Sequence, residues 1–130
     1  MKKPKIITAR DFATFDKIPT TREQIKLRSV SGNIVIPTKQ IIYLEAAVNY
    51  TLVHTRNNGT FLSSRTIKYY EDLLDKMLFL RIHKSYIINL SFIKEGKIGR
   101  KNREIKLACG TQLEVSRRRL KEIIERSSSI

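Results

Sequence analysis

The stretch "FLRIHKSYIINL", residues 79–90, decides how the chain folds. Its apolar residues suit a buried β-strand, yet Arg81, His83, Lys84 and Ser85 interrupt them. In one unbroken strand Phe79, Arg81 and His83 would share a face, and Leu80, Ile82 and Lys84 the other. Neither face would be uniformly apolar. A bend resolves the conflict: the chain enters as a core strand, turns near His83–Ser85 and leaves as a second core strand, "YIIN". The polar cluster then sits at an exposed bend between two anchored strands. Arg and Lys there could hold a phosphate or reach a guanine edge. For His83 a half-buried, hydrogen-bonded ring fits as well as a base contact.

Upstream, "SSRTIKYYEDLLDKM" changes period. Ile67, Tyr70, Leu73, Leu74 and Met77 recur at helical steps, with Ser63 or Ser64 as N-cap. The expectation is an amphipathic helix whose apolar stripe packs on a sheet. Glu71 and Asp72 are adjacent on it and point apart, so they make no catalytic carboxylate pair. Before it, "YTLVHTR" and "TFLSS" flank "NNG", a strong hairpin signal because Asn and Gly tolerate positive φ. "IIYLEA" suits a buried strand. "QIKLRSV" and "IVI" flank the turn "SGN" as another hairpin, which Pro37 ends and "TKQ" follows as a short turn. Residues 1–22, with Pro4 and Pro19, have no clean period. They read as a basic arm or linker, packed in part through Phe12 and Phe15, ahead of a domain over 23–130.

Downstream, "SFIKEGKIGRKNREIKLACGTQLEV" carries turn signals at "GRKN" and "CG" and reads as a meander of three short strands. Ser116 then caps a short helix, "RRRLKEIIER", with Leu120, Ile123 and Ile124 facing inward, and the tail "SSSI" is expected to be loose. The expected fold class is mainly β: about eight to ten short strands in several small sheets, one amphipathic helix and a short C-terminal helix.

Charge narrows the function. The 130 residues hold 26 Lys or Arg against 12 Asp or Glu, a net charge of +14. Such a chain attracts polyanions. No apolar run reaches the length of a membrane span and the N-terminus lacks a signal core, so a cytoplasmic protein without membrane partners is expected. Cys109 is the sole cysteine. It reads as a small, half-buried strand residue, not a reactive thiol, and no Cys/His spacing suggests zinc. There is no glycine-rich phosphate loop, G-x-S-x-G, H-E-x-x-H or kinase signature. No enzyme activity, cofactor, metal or small-molecule substrate is therefore expected.

Basic residues cluster at "RIHKS", "GRKNR" and "SRRR", all beyond residue 80. Arg117, Arg118 and Arg119 begin a helix, where cations oppose the dipole. A bound polyanion would turn that cost into a gain, because phosphates favour both guanidinium groups and the free N–H groups of a helix start. The alternative is that the arginines are merely solvated over apolar neighbours.

Together, "EAAVNY" (45–50), "RIHKSYIIN" (81–89) and "VSRRR" (115–119) resemble the LytTR DNA-binding domain of bacterial response regulators and stand-alone regulators, over roughly residues 24–126. The resemblance implies a mostly β fold of several small sheets. It also implies sequence-specific binding of bent duplex DNA by loops that enter successive major grooves. By position, Asn49 and Tyr50, then His83, Lys84 and Ser85, then Arg117 and Arg118 match the groove-reading elements. Arg81 and Arg119 join them from the charge clusters, whereas Asn49 and Tyr50 rest on the resemblance alone. Many members carry a receiver domain, and residues 1–22 do not resemble one. The expected protein is a bacterial transcription regulator with duplex DNA as partner, its sites accommodating a homodimer if they lie in tandem. An RNA-binding, ribosome-associated β domain is the alternative, disfavoured because the aromatics fall within the apolar pattern and not on an open stacking face. A small enzyme for a phosphorylated substrate would need a base and a pocket, and neither is visible.

Overall fold

The computed structural model describes residues 4–16, 23–99 and 101–127. These hold eleven strands in two antiparallel sheets and two α-helices. The smaller sheet joins β1 (Lys5–Ile7), β9 (Ile93–Ile98), β10 (Arg103–Leu107) and β11 (Gln112–Glu114) in that order. The larger has the order β3-β2-β6-β5-β4-β8-β7. Its strands are β2 (Gln24–Ser29), β3 (Gly32–Pro37), β4 (Ile41–Ala47), β5 (Tyr50–Thr55), β6 (Thr60–Ser63), β7 (Phe79–His83) and β8 (Tyr86–Asn89).

The larger sheet's β4, β8 and β7 form a middle layer, and this explains their unalternating sequence. Ile41, Leu44, Phe79 and Ile87 pack on one side with Ile25, Leu27, Ile36 and the helix α1 (Ile67–Leu73). Ile42, Tyr43, Leu80, Ile82 and Ile88 pack on the other side with the smaller sheet and the helix α2 (Arg117–Ser127). Strands buried on both faces read as continuous apolar runs. Each fully buried Ile or Leu contributes about 2 kcal/mol of hydrophobic stabilisation. Asn89 is buried at the end of β8 with its polar atoms bonded: Nδ2 donates to the Ile41 carbonyl at 2.9 Å, and Oδ1 accepts from the Ser91 N–H at 2.9 Å.

The expected bend in 79–90 is present, with Lys84 and Ser85 as the turn between β7 and β8. So are the hairpins at "SGN" and "NNG" and the meander of β9, β10 and β11.

Several details differ from the sequence expectations. The strand beyond the expected eight to ten comes from the N-terminal segment read as an arm: β1 pairs with β9, and Phe12 is buried. Gly96 of β9 makes room for this pairing, since a Cβ there would lie 2.6 Å from Ile7 Cγ1. The Phe15 side chain, and so the packing expected of it, lies outside what the structure describes, as do Arg100 and residues 128–130 of the tail. Ser127, the first residue of that tail, is instead buried as the last residue of α2, where it receives a hydrogen bond from Lys5 Nζ at 3.0 Å.

The first helix is shorter than its pattern. Thr66, not Ser63 or Ser64, is its N-cap, its side chain accepting from the Tyr69 N–H. Ser63 belongs to β6, and its hydroxyl meets the Tyr70 hydroxyl at 2.6 Å. Leu74 already has extended backbone angles, and Asp75 folds the next turn, its carboxylate accepting the Met77 N–H. Met77 is consequently exposed and leaves the apolar stripe. Cys109 is exposed in the turn between β10 and β11, not half-buried in a strand, because Gly110 beside it takes the positive φ of that turn.

Candidate nucleic-acid interface

The bend between β7 and β8 is built around Arg81. Pairing shifts register between Arg81 and His83. Arg81 fills the resulting curve, its Nε donating to the His83 carbonyl at 3.0 Å and its Nη2 to the Lys84 carbonyl at 2.6 Å. Its Nη1 donates to Glu71 Oε1 of α1 at 2.7 Å. The planar guanidinium fork thus spends three donors inside the protein and stiffens the turn. Lys84, whose carbonyl it holds, is left exposed at the tip. The Ser85 N–H donates to His83 Nδ1 at 3.0 Å, which assigns the ring proton of a neutral His83 to Nε2. The His83 ring leans on Tyr86, with centroids 5.3 Å apart.

A second tip lies beside it. β4 and β5 are joined by Val48 and Asn49, and Asn49 and Tyr50 are exposed. Val48 is 95% exposed and has φ of +59°. That is the left-handed region, unusual for a β-branched residue and normally filled by Gly at the first position of a tight hairpin turn. Because β4 pairs antiparallel with β8, Glu45 opposite Tyr86, both tips leave the same end of the sheet. The Ala46 N–H donates to the Ser85 carbonyl at 2.8 Å and ties them together.

The third element arrives from the other sheet. The Ser116 N–H donates to the Ile82 carbonyl at 2.8 Å, which fixes the start of α2 against the bend. Arg117 and Arg118 are exposed there. Arg119 turns back, its Nη1 lying 3.7 Å from Glu71 Oε2.

All nine sequence-selected residues therefore belong to three neighbouring elements. Asn49, Tyr50, Lys84, Arg117 and Arg118 are exposed, and His83 and Ser85 half-buried. Arg81 and Arg119 face inward onto a shared carboxylate. Two residues escaped the sequence reading. Val48 carries no charge, and Glu71 looked like one acid on a solvated helix face. No local signal marked Glu71, because its partners Arg81 and Arg119 lie on other elements.

The other histidine has a different setting. His54 stacks on Tyr43 with centroids 4.1 Å apart, and its two nitrogens meet Thr60 and Glu45. Titration is displaced at groups inside the body: burial raises Tyr43 and Tyr70 above the usual tyrosine value and lowers Arg126 below the usual arginine value. Among the described residues no cluster of His, Cys, Asp or Glu could hold a metal, and no helix is long and apolar enough to cross a membrane.

The family model of the LytTr DNA-binding domain matches residues 31–127. Among solved structures, this chain is similar to the LytTr DNA-binding domain of a methyl-accepting/DNA response regulator from Bacillus cereus. The TM-score is 0.65 and the identity 24%, and the match covers 84% of this chain and 99% of that one. At that identity the likeness is one of fold. No curated protein matches the chain.

Proposed function

From the premise that this chain belongs to the LytTr DNA-binding domain family, we propose that it is a transcription regulator that binds a specific duplex DNA site by inserting loop tips into successive major grooves. The family match makes the chain a DNA-binding module, and it lends nothing to the RNA-binding alternative. The observation that carries the finer reading is the pair of main-chain bonds, Ala46 to Ser85 and Ser116 to Ile82, that holds three exposed polar tips at one end of the molecule.

In this reading Lys84 at the tip of the bend and Arg118 at the start of α2 work as cations. Arg118 suits a guanine edge or a phosphate in bidentate fashion, and Lys84 suits a point contact. Asn49 suits an adenine edge. His83, with Nε2–H directed by the Ser85 bond, can donate to an acceptor on a base or phosphate. Arg81 shapes the turn that presents these groups. The neighbouring phosphates would relieve the unfavourable charges at the start of α2. Bending of the duplex, action in the bacterial cytoplasm and pairing of two copies on tandem sites complete the proposal.

The test begins by selecting bound fragments from a random duplex library, followed by anisotropy titrations. One preferred duplex should bind far more tightly than a scrambled duplex of equal length. Lys84→Ala and Arg118→Ala should each fold normally and lose about 1–3 kcal/mol of binding to it. Equal affinity for every duplex would count against sequence-specific reading.

A further inference from the structure

Glu71 is an acid directed toward two arginines of the candidate interface, and it sits on α1, which supplies none of the candidate DNA contacts. Its carboxylate joins two guanidinium groups from different layers. Oε1 accepts from Arg81 Nη1 of β7 at 2.7 Å, and Oε2 lies 3.7 Å from Arg119 Nη1 of α2. The side chains are sheltered, 21% exposed for Glu71, 12% for Arg81 and 34% for Arg119. Lys68 also reaches Glu71, at 3.8 Å, but stays in solvent. Beyond Glu71, Arg81 holds the carbonyls of His83 and Lys84. A continuous polar chain thus runs from the start of α2 through Arg119, Glu71 and Arg81 into the bend.

We infer that Glu71 is a positioning residue for DNA recognition: it sets the spacing between the bend that carries Lys84 and the helix start that carries Arg117 and Arg118. The inference rests on the proposed DNA-reading function. Two tips that must meet one duplex in register gain specificity from being held at a fixed separation before binding, since the ordering cost is met in the free protein. Glu71 is suited to this because one carboxylate offers acceptor sites to two partners at once. Glu122 of α2 lines the same cleft, but Glu71 is the acid that meets both Arg81 and Arg119.

The sign of the effect separates positioning from plain electrostatics. An acid beside a polyanion-binding surface repels every duplex, so removing it should strengthen binding to all sequences alike. The positioning role makes the opposite demand for the preferred sequence. The experiment measures Glu71→Gln and Glu71→Ala in the full chain against the preferred duplex and a scrambled duplex at one ionic strength. The expected result is that the ratio of the two affinities falls about ten-fold for Glu71→Ala, the size of one lost base contact, and less for Glu71→Gln. Scrambled-duplex binding should hold or rise. Loss of folded protein lowers both affinities together and leaves the ratio unchanged, so the ratio reads positioning alone. If Glu71→Ala does not fold, the near-isosteric Glu71→Gln decides. An unchanged ratio overturns the inference. Absence of any preferred duplex for the parent protein would instead overturn the proposed function.

Discussion

Val48 concentrates what the residue scale adds. Its positive φ costs a β-branched side chain about 1–2 kcal/mol, and its exposed side chain has little packing to lose. Val48→Gly should therefore raise stability by about 0.5–1 kcal/mol, after the entropy cost of Gly in the unfolded chain. Thermal unfolding should show a rise of a few degrees; a lower midpoint would mean that the isopropyl group is held by packing. Gly96→Ala should do the reverse, because its methyl group would meet Ile7 at 2.6 Å and Ile105 at 3.2 Å. Denaturant unfolding should report a loss of about 1–3 kcal/mol. Single positions differ in how legible they are. Gly59 and Gly110 announce their turns, because Gly is the residue that positive φ favours. Val48 gives no such sign, since its side chain argues for a strand. Arg81 was visible as a cation, but not its inward commitment. The acceptors are two main-chain carbonyls and an acid ten positions away, and no local pattern encodes them.

At the scale of elements, continuous apolar runs were enough to find the middle-layer strands, and the period of side chains both helices and the three-strand meander. It could not fix the helix ends. Ser63, Ser64 and Thr66 are all good caps, and tertiary contact chose among them: Ser63 is drawn into β6 and buried against Tyr70. The buried Ser63–Tyr70 pair makes a test. Tyr70→Phe should cost about 1–2 kcal/mol in chemical denaturation through the lost hydrogen bond; an unchanged midpoint would show that the pair contributes nothing. The pair also shapes alkaline stability. Burial, opposed by the Ser63 bond, raises Tyr70 above its unfolded value. The folded state then holds this proton more tightly, so the stabilisation is full below pH 10 and is lost as pH rises through the folded value. Tyr70→Phe should flatten the decline above pH 10, read as unfolding midpoints across alkaline buffers, and parallel curves for the two proteins would contradict the assignment. The edge strand β1 was illegible for another reason. Lys5–Ile7 is three residues long, and it becomes a strand because β9 and Gly96 receive it.

Across the whole molecule, charge and architecture act together. The net charge of +14 attracts any polyanion, while a two-sheet body fixes where three exposed tips stand. Charge alone marked two of these tips in the sequence, and family resemblance marked the third. What no sequence pattern could reveal was their convergence, which depends on hydrogen bonds between residues as far apart as Ala46 and Ser85. Affinity for the preferred duplex should fall steeply with salt, and Lys84→Ala should reduce the slope of log affinity against log salt by about 0.9. An unchanged slope would remove Lys84 from the phosphate contacts. The most direct measurement of the central claim is protection of guanine N7 from methylation along the preferred duplex. Two protected major-groove segments about one helical turn, or ~10 base pairs, apart are predicted, with protection weakened at one of them in Lys84→Ala and at a different one in Arg118→Ala. Protection that is confined to one groove segment, or that neither substitution alters, would contradict the account.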